Sequence, residues 1–182
     1  YNQRTQLLPE SDQNKQMLDE FFKGTQKPIF TSVTADNHLI TLAEFLLMYM
    51  MCWSPEPWKT IDWTAIQCPE HSTPAQQETF EKERKIILQF VETLPNARRL
   101  MAHIPVAMIF DDHDISDDWN LTAAWEQTAY SNPFSRRMIG NALLSYALCQ
   151  GLGNAPEHFD ECFKSDLQSA LNQPGSETYD KV

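Results

Sequence analysis

The stretch Ile104-Pro-Val-Ala-Met-Ile-Phe-Asp-Asp-His-Asp-Ile-Ser-Asp-Asp-Trp-Asn120 joins an apolar run to a dense acidic group. The apolar run, Val106 to Phe110, predicts a short buried strand, because strands inside a sheet read as continuous apolar segments. Five carboxylates and one imidazole follow it within eight residues: Asp111, Asp112, His113, Asp114, Asp117 and Asp118. Carboxylates this close repel one another unless a cation neutralises them. The stretch therefore predicts a cation site at the carboxyl end of a buried strand, where open α/β sheets place their sites.

A solvated loop or a helix start is the alternative interpretation of this acidic stretch, since carboxylates favour both. Two details favour a packed site: the acids directly follow an apolar segment, and Trp119 lies among them. An EF-hand loop that began at Asp112 would need glycine at its sixth position and glutamate at its twelfth. Those positions hold Asp117 and Ala123, so an EF-hand is excluded.

The pattern Phe-Asp-Asp-His-Asp-x-x-Asp-Asp-Trp-Asn, residues 110 to 120, resembles the signature of the PhoD-like (alkaline phosphatase D) metallophosphatases. These enzymes are a branch of the calcineurin-like metallophosphoesterases. The resemblance extends over residues 30 to 155, and its specificity lies in the acidic motif. It implies that the chain is an internal, helical portion of an α/β metallophosphoesterase, which hydrolyses phosphoester substrates with divalent or trivalent metal ions.

The same resemblance implies roles for four residues. Asp111 and Asp112 would be metal ligands, with Asp112 standing where the superfamily has its amide ligand. His113 and Asp114 would be catalytic: the His113 imidazole faces the scissile phosphate, and Asp114 orients or tunes that imidazole.

Other glycine-containing motifs of the superfamily are absent from the sequence. Upstream we expect Gly-Asp-x-x-Asp, and downstream a Gly-His-x-His-like motif, but no glycine of this chain precedes an Asp or a His. The sequence also begins with Tyr1 rather than Met. We therefore expect residues 1–182 to be one incomplete domain of a larger phosphatase, inactive alone, with residues 1–12 and 173–182 flexible. Whether this chain alone binds a metal ion stays open.

Two further functions are consistent with the residues. The His113-Asp114 dipeptide matches the HD-type metal phosphohydrolases, in which His71 or His103 and Asp160 or Asp166 would complete a metal site. Alternatively, the chain is a helical structural or interaction module without activity of its own.

Composition narrows the class of protein. An 11% aromatic share indicates a folded chain. The net charge of −11 excludes nucleic acid as a partner, since phosphate contacts require a basic face. The longest apolar run, Leu39 to Trp53, contains Glu44 and is too short to span a membrane. Oligomeric state is not determined by the sequence.

The cysteines predict a reducing, cytoplasmic location. Four are present, without a Cys-x-x-Cys motif, and they match neither a disulfide framework nor a zinc site. Cys52 and Cys149 lie in apolar helical stretches, where we expect buried free thiols.

Periodicity and capping signals predict a mostly α fold of six or seven helices with one or two short strands. The predicted helices are 13–22, 41–53 with a Thr41/Glu44 capping box, 75–94 after Thr73 and Pro74, a short helix with Arg98 and Arg99, 122–130, 133–150 opened by Asn132 and ended by Gly151 and Gly153, and 156–171. The predicted strands are 106–110 and 29–33. In a longer protein 106–110 would join a sheet made by other segments, and in this piece alone we expect it either to be exposed or to pair with 29–33.

Overall fold

The computed structural model of the chain describes residues 38–116, 119–120, 122–131 and 133–172. These residues form five helices: α1 (Leu42–Trp53), α2 (Pro74–Met101), α3 (Ala123–Ser131), α4 (Pro133–Tyr146) and α5 (Glu161–Asn172). Helix α4 continues through a π-helical turn, Ala147–Gly151, into the short segment Leu152–Asn154. Short 3-10 turns lie at Pro57–Thr60, Asp112–Asp114 and Pro156–His158. The mostly helical prediction is confirmed, and this part of the chain contains no strand.

Several predicted features lie outside the described residues. They are the helix 13–22, the candidate strand 29–33, the capping residue Asn132, the acidic residues Asp117 and Asp118, and the two terminal segments 1–12 and 173–182.

Local side-chain caps begin helices α1 and α2 as predicted. The Thr41 hydroxyl accepts a hydrogen bond from Glu44 N at 3.3 Å, and the Glu44 carboxylate accepts one from Thr41 N at 3.0 Å. At the start of α2, Thr73 and Gln76 exchange the equivalent pair of bonds, and Pro74 occupies the first turn. Such reciprocal caps satisfy backbone N–H groups that have no partner inside the helix.

Helix α2 is longer than predicted. It runs for 28 residues through Pro95, so the predicted end at residue 94 and the separate short helix are both wrong. Proline removes one backbone N–H bond from the helix interior, but here it does not end the helix. Arg98 and Arg99 lie in the last turn, where cations interact favourably with the helix dipole.

The glycines after α4 do not end the helix where the sequence predicted. The π-helical turn carries the chain through Gly151 to Asn154. A Cβ atom added at Gly151 would lie 3.3 Å from Cζ of Phe159, so the glycine allows that ring to approach the helix closely. The extra turn places Asn154 within reach of residue 108, as described below.

The chain divides into two compact units, one of residues 1–46 and 107–182 and the other of Leu47–Val106. The prediction of a single domain stays a prediction. In the first unit the described residues bury one apolar core, made of Phe45, Ile115, Ala129, Met138, Ile139 and Ala142. In the second unit Trp58 stacks on Trp63 with ring centroids 5.9 Å apart, and Phe90 of α2 contacts the Trp58 ring edge-on.

In this structure the segment Val106–Phe110 is neither buried nor a strand, so the predicted strand is not confirmed. Ile109 is 85% exposed and Val106 is 41% exposed. No backbone ladder pairs the segment with other described residues; instead Met108 bonds through its N–H and C=O to the side-chain amide of Asn154. A strand needs a neighbouring strand for its backbone groups, and an apolar run in the sequence does not supply one.

The prediction of buried thiols is also wrong, because Cys52 and Cys149 are both exposed. A helix in a small unit buries only one stripe of its surface, and these residues lie outside that stripe. None of the described helices is both long enough and apolar enough to cross a lipid bilayer.

Candidate functional site

The acidic turn, residues 111–114, is held between two anchors of the first unit. On its N-terminal side the Phe110 ring packs 4.6 Å from Tyr146 and 5.2 Å from Trp119, measured between ring centroids. On its C-terminal side Ile115 is 2% exposed and belongs to the core. The turn itself lies at the surface, since the side chains of Asp111 and His113 are 78% and 65% exposed.

Hydrogen bonds within the turn fix its conformation. Asp111 N donates to the Asp114 carboxylate at 2.9 Å, and Asp112 N donates to the Asp111 carboxylate at 2.9 Å. Ile115 N and Ser116 N both donate to the carbonyl of Asp112, at 2.9 and 2.8 Å. The Asp112 carboxylate also accepts His113 N at 3.1 Å. This capping box around a 3-10 turn explains why consecutive aspartates are tolerated here: all three carboxylates of the turn accept backbone N–H groups that would otherwise lack partners.

Three side chains of the turn converge. His113 Nδ1 lies 2.9 Å from Asp112 Oδ1 and 3.5 Å from Asp111 Oδ2. Asp111, Asp112 and His113 each offer one ligand atom, and these atoms lie within 4.8 Å of one another. Neighbouring ligands of an octahedral cation lie about 3.0 Å apart when each metal–ligand distance is about 2.1 Å. Carboxylate and imidazole donors suit divalent transition metals. The donor set therefore fits a cation with small side-chain movements.

The electrostatics of Asp112 follow from its neighbours. A side-chain hydrogen bond with Asp111, in which the two acids share one proton, lowers the pKa of the Asp112 carboxyl, and the hydrogen bonds and charge of His113 lower this pKa further, while partial burial opposes both. Because a carboxylate only accepts hydrogen bonds, His113 donates from Nδ1 in this contact. The neutral imidazole then has its lone pair on Nε2. Asp112 therefore stays ionised as a ligand requires, and it sets the tautomer of His113.

The structure brings together three of the four predicted site residues. Asp111, Asp112 and His113 form the cluster, whereas the Asp114 carboxylate accepts the Asp111 N–H. Among the described residues the His113 imidazole contacts Asp112 and Asp111, so Asp112 is one aspartate that orients it. A catalytic role for Asp114 stays a prediction.

Asp160 and Asp166, the acids of the HD-type alternative that lie in the same unit as His113, do not join its cluster, whereas the part of His71 and His103, which belong to the other unit, stays a prediction. Within the described ranges, the only group of three or more metal-ligating side chains is Asp111, Asp112 and His113. His103 bonds to the carbonyl of Arg99 at 2.6 Å, and Asp160 caps α5 by accepting Phe163 N at 2.8 Å.

A polar network behind the acidic turn was not predicted. Trp119 Nε1 donates to the Tyr130 hydroxyl at 3.1 Å, and that hydroxyl donates to Asn120 Oδ1 at 3.2 Å. Asn120 has a left-handed backbone with φ of 58°, a conformation that asparagine tolerates better than most residues. The sequence signalled packing at Trp119, but nothing in it identified Tyr130 as the partner.

Comparison of the chain with protein-family models, with curated proteins and with solved structures found no match. The PhoD-like resemblance therefore depends on the residues of the acidic stretch and its surroundings.

Proposed function

We propose that this chain carries part of the metal site of a metal-dependent phosphoester hydrolase of the PhoD-like type. The observation that supports the proposal is the convergence of the Asp111 and Asp112 carboxylates with the His113 imidazole on a single turn, one atom of each lying within 4.8 Å of the others. Because the anchored turn lies at the surface, these side chains are accessible to a substrate and to metal ligands contributed by other parts of a longer protein.

Each residue has a proposed role. Asp111 and Asp112 hold the cation through carboxylate oxygens, and Asp112 also fixes His113 by accepting its Nδ1–H. The Nε2 atom of His113 then faces the phosphoryl oxygens, where the protonated ring donates a hydrogen bond or passes a proton to the leaving group. A bound metal ion would supply Lewis-acid activation of the phosphate and of water.

The 182-residue chain alone should hydrolyse phosphoesters negligibly. The described residues contain one three-ligand group, whereas phosphatases of this type clamp the attacking and leaving oxygens between two metals. Robust metal-dependent turnover of p-nitrophenyl phosphate by the purified chain would contradict this assignment, and would indicate a site that is complete within the chain.

Two substitutions in a longer, active protein test the proposed roles. His113→Asn should lower turnover by about 10²–10³-fold with little loss of metal, as expected for one positioned acid or oxyanion donor. Asp112→Ala should lower both the metal content and the turnover. Asp62→Asn is a matched control, because Asp62 is also an exposed turn aspartate that accepts local hydrogen bonds, from Thr64.

The outcomes of that experiment separate the hypotheses. Near-normal turnover of His113→Asn would mean that the acidic turn is only a solvated helix start. Loss of metal from His113→Asn as severe as from Asp112→Ala would make His113 a ligand, and the role proposed for it would be wrong.

An interaction module is the second candidate function. Its supporting observation is that many large apolar side chains of the described helices are exposed, for example Met50, Ile86 and Leu100. If the chain binds no cation at the acidic turn and supports no hydrolysis in a longer protein, this function is favoured.

A further inference from the structure

The side chain of Asn154 takes the place of a neighbouring strand for the segment that leads into the acidic turn. Met108 N donates to Asn154 Oδ1 at 2.9 Å, and Asn154 Nδ2 donates to the Met108 carbonyl. A neighbouring strand exchanges the same pair of bonds with one residue in an antiparallel ladder. Met108 lies three residues before Asp111, so this contact fixes the backbone immediately upstream of the acidic turn.

A second contact holds the same segment against the same helix. The Phe110 ring packs edge-on against Tyr146, the last residue of α4, with centroids 4.6 Å apart. Asn154 therefore holds the backbone of residue 108 while Tyr146 contacts the side chain of residue 110, so two residues of one helical stretch contact the segment at positions two residues apart.

The π-helical turn Ala147–Gly151 explains how Tyr146 and Asn154 come to share a face. In a regular α-helix, residues eight apart are rotated by about 80° around the axis. A π turn takes up one residue more than an α-helical turn. With the π turn between them, Tyr146 and Asn154 have the angular relation that residues seven apart have in a regular α-helix. Residues seven apart in an α-helix lie on one face. Gln150, midway between them in the sequence, is buried.

We propose that Asn154, aligned with Tyr146 by the π-helical turn, is a positioning residue that sets the backbone register of residues 108–110 and so the placement of the acidic turn. The functional consequence, a change in cation affinity, rests on the proposed function. The effect of Asn154 on the backbone register does not rest on the proposed function, because it concerns only the hydrogen bonds of the segment and of the turn.

Asn154→Leu tests the proposal in the full chain, with Asn96→Leu as the control, because Asn96 is an exposed asparagine of α2. Amide hydrogen exchange, resolved by NMR, should rise about tenfold at Met108 and also at Asp114 and Ser116, whose N–H groups bond inside the turn. Because Asn154 is itself exposed, the melting temperature should stay within about 2 °C of the control. A merely structural role would instead lower the melting temperature and raise exchange throughout the unit.

Mn²⁺ is the probe for the functional consequence. Its affinity should fall about tenfold in Asn154→Leu, as expected when a residue that orients ligands is removed. Asn154→Asp retains an acceptor for Met108 N and loses the donor to the Met108 carbonyl, so its exchange rates and affinity should be intermediate.

Unchanged exchange at Asp114 and Ser116 in Asn154→Leu would overturn the proposal, whatever happens to Mn²⁺. If the unsubstituted chain does not bind Mn²⁺, the proposed function fails, and the exchange rates still decide whether Asn154 positions the turn.

Discussion

Two isoleucines flank the acidic turn, and alanine substitution should affect them very differently. Ile115 is 2% exposed within the core, whereas Ile109 is 85% exposed. Ile115→Ala should lower the free energy of unfolding by about 2–5 kcal/mol, the usual cost of truncating a buried isoleucine. Ile109→Ala should change it by less than about 0.5 kcal/mol, as for other surface positions. The pair is its own matched control, because the chemical change is the same at both positions.

Urea denaturation followed by far-ultraviolet circular dichroism measures the difference. With a denaturant dependence of about 2 kcal/mol per molar, a loss of about 3 kcal/mol lowers the midpoint by about 1.5 M. Ile109→Ala should move the midpoint by no more than about 0.25 M. If Ile109→Ala destabilises the protein as much as Ile115→Ala does, residues 106–110 are buried as the sequence predicted, and the anchoring of the turn described above is wrong.

Two further predictions concern single residues near the turn. His113→Asn should raise the pKa of the Asp112 carboxyl towards its ordinary value of 3.8. The rise should be partial, because the hydrogen bond with Asp111 remains, and carbon-13 NMR titration measures the pKa. Since folding lowers this pKa, the contribution of Asp112 to the free energy of unfolding is complete above its ordinary pKa and is lost as the pH falls through the lowered pKa. An unchanged pKa of Asp112 in His113→Asn would contradict the contact between the two side chains. Asn120→Ala should lower the free energy of unfolding, measured in thermal melts, by about 1 kcal/mol more than Asn120→Gly does. Both variants lose the Tyr130 contact, but only glycine adopts a φ of 58° without strain. Equal losses of free energy in the two variants would refute strain at this position.

Helix starts were predictable because their determinants are local. The Thr41/Glu44 and Thr73/Gln76 caps join residues three apart, so the sequence contains the whole interaction. The convergence of Asp111, Asp112 and His113 is equally local, since the three residues are consecutive and one short turn brings their side chains together.

The fate of residues 106–110 was not predictable, because it depends on a partner. An apolar run is consistent with a buried strand, but the run becomes one only if another strand pairs with it. Here the partner is Asn154, 46 residues further along the chain, and a π-helical turn brings it into position. Neither the turn nor the contact leaves a pattern in the local sequence.

The most direct test of the central claim is to locate Mn²⁺ on the folded 182-residue chain by paramagnetic broadening of its amide NMR signals. The proposed site predicts that substoichiometric Mn²⁺ broadens the amides of residues 111–114 first, and that Asp112→Asn weakens this effect by about tenfold, or about 1.4 kcal/mol, whereas Asp62→Asn leaves it unchanged. Broadening spread evenly over the acidic surface, or equal broadening of residues 111–114 in Asp112→Asn, would contradict a cation site at this turn.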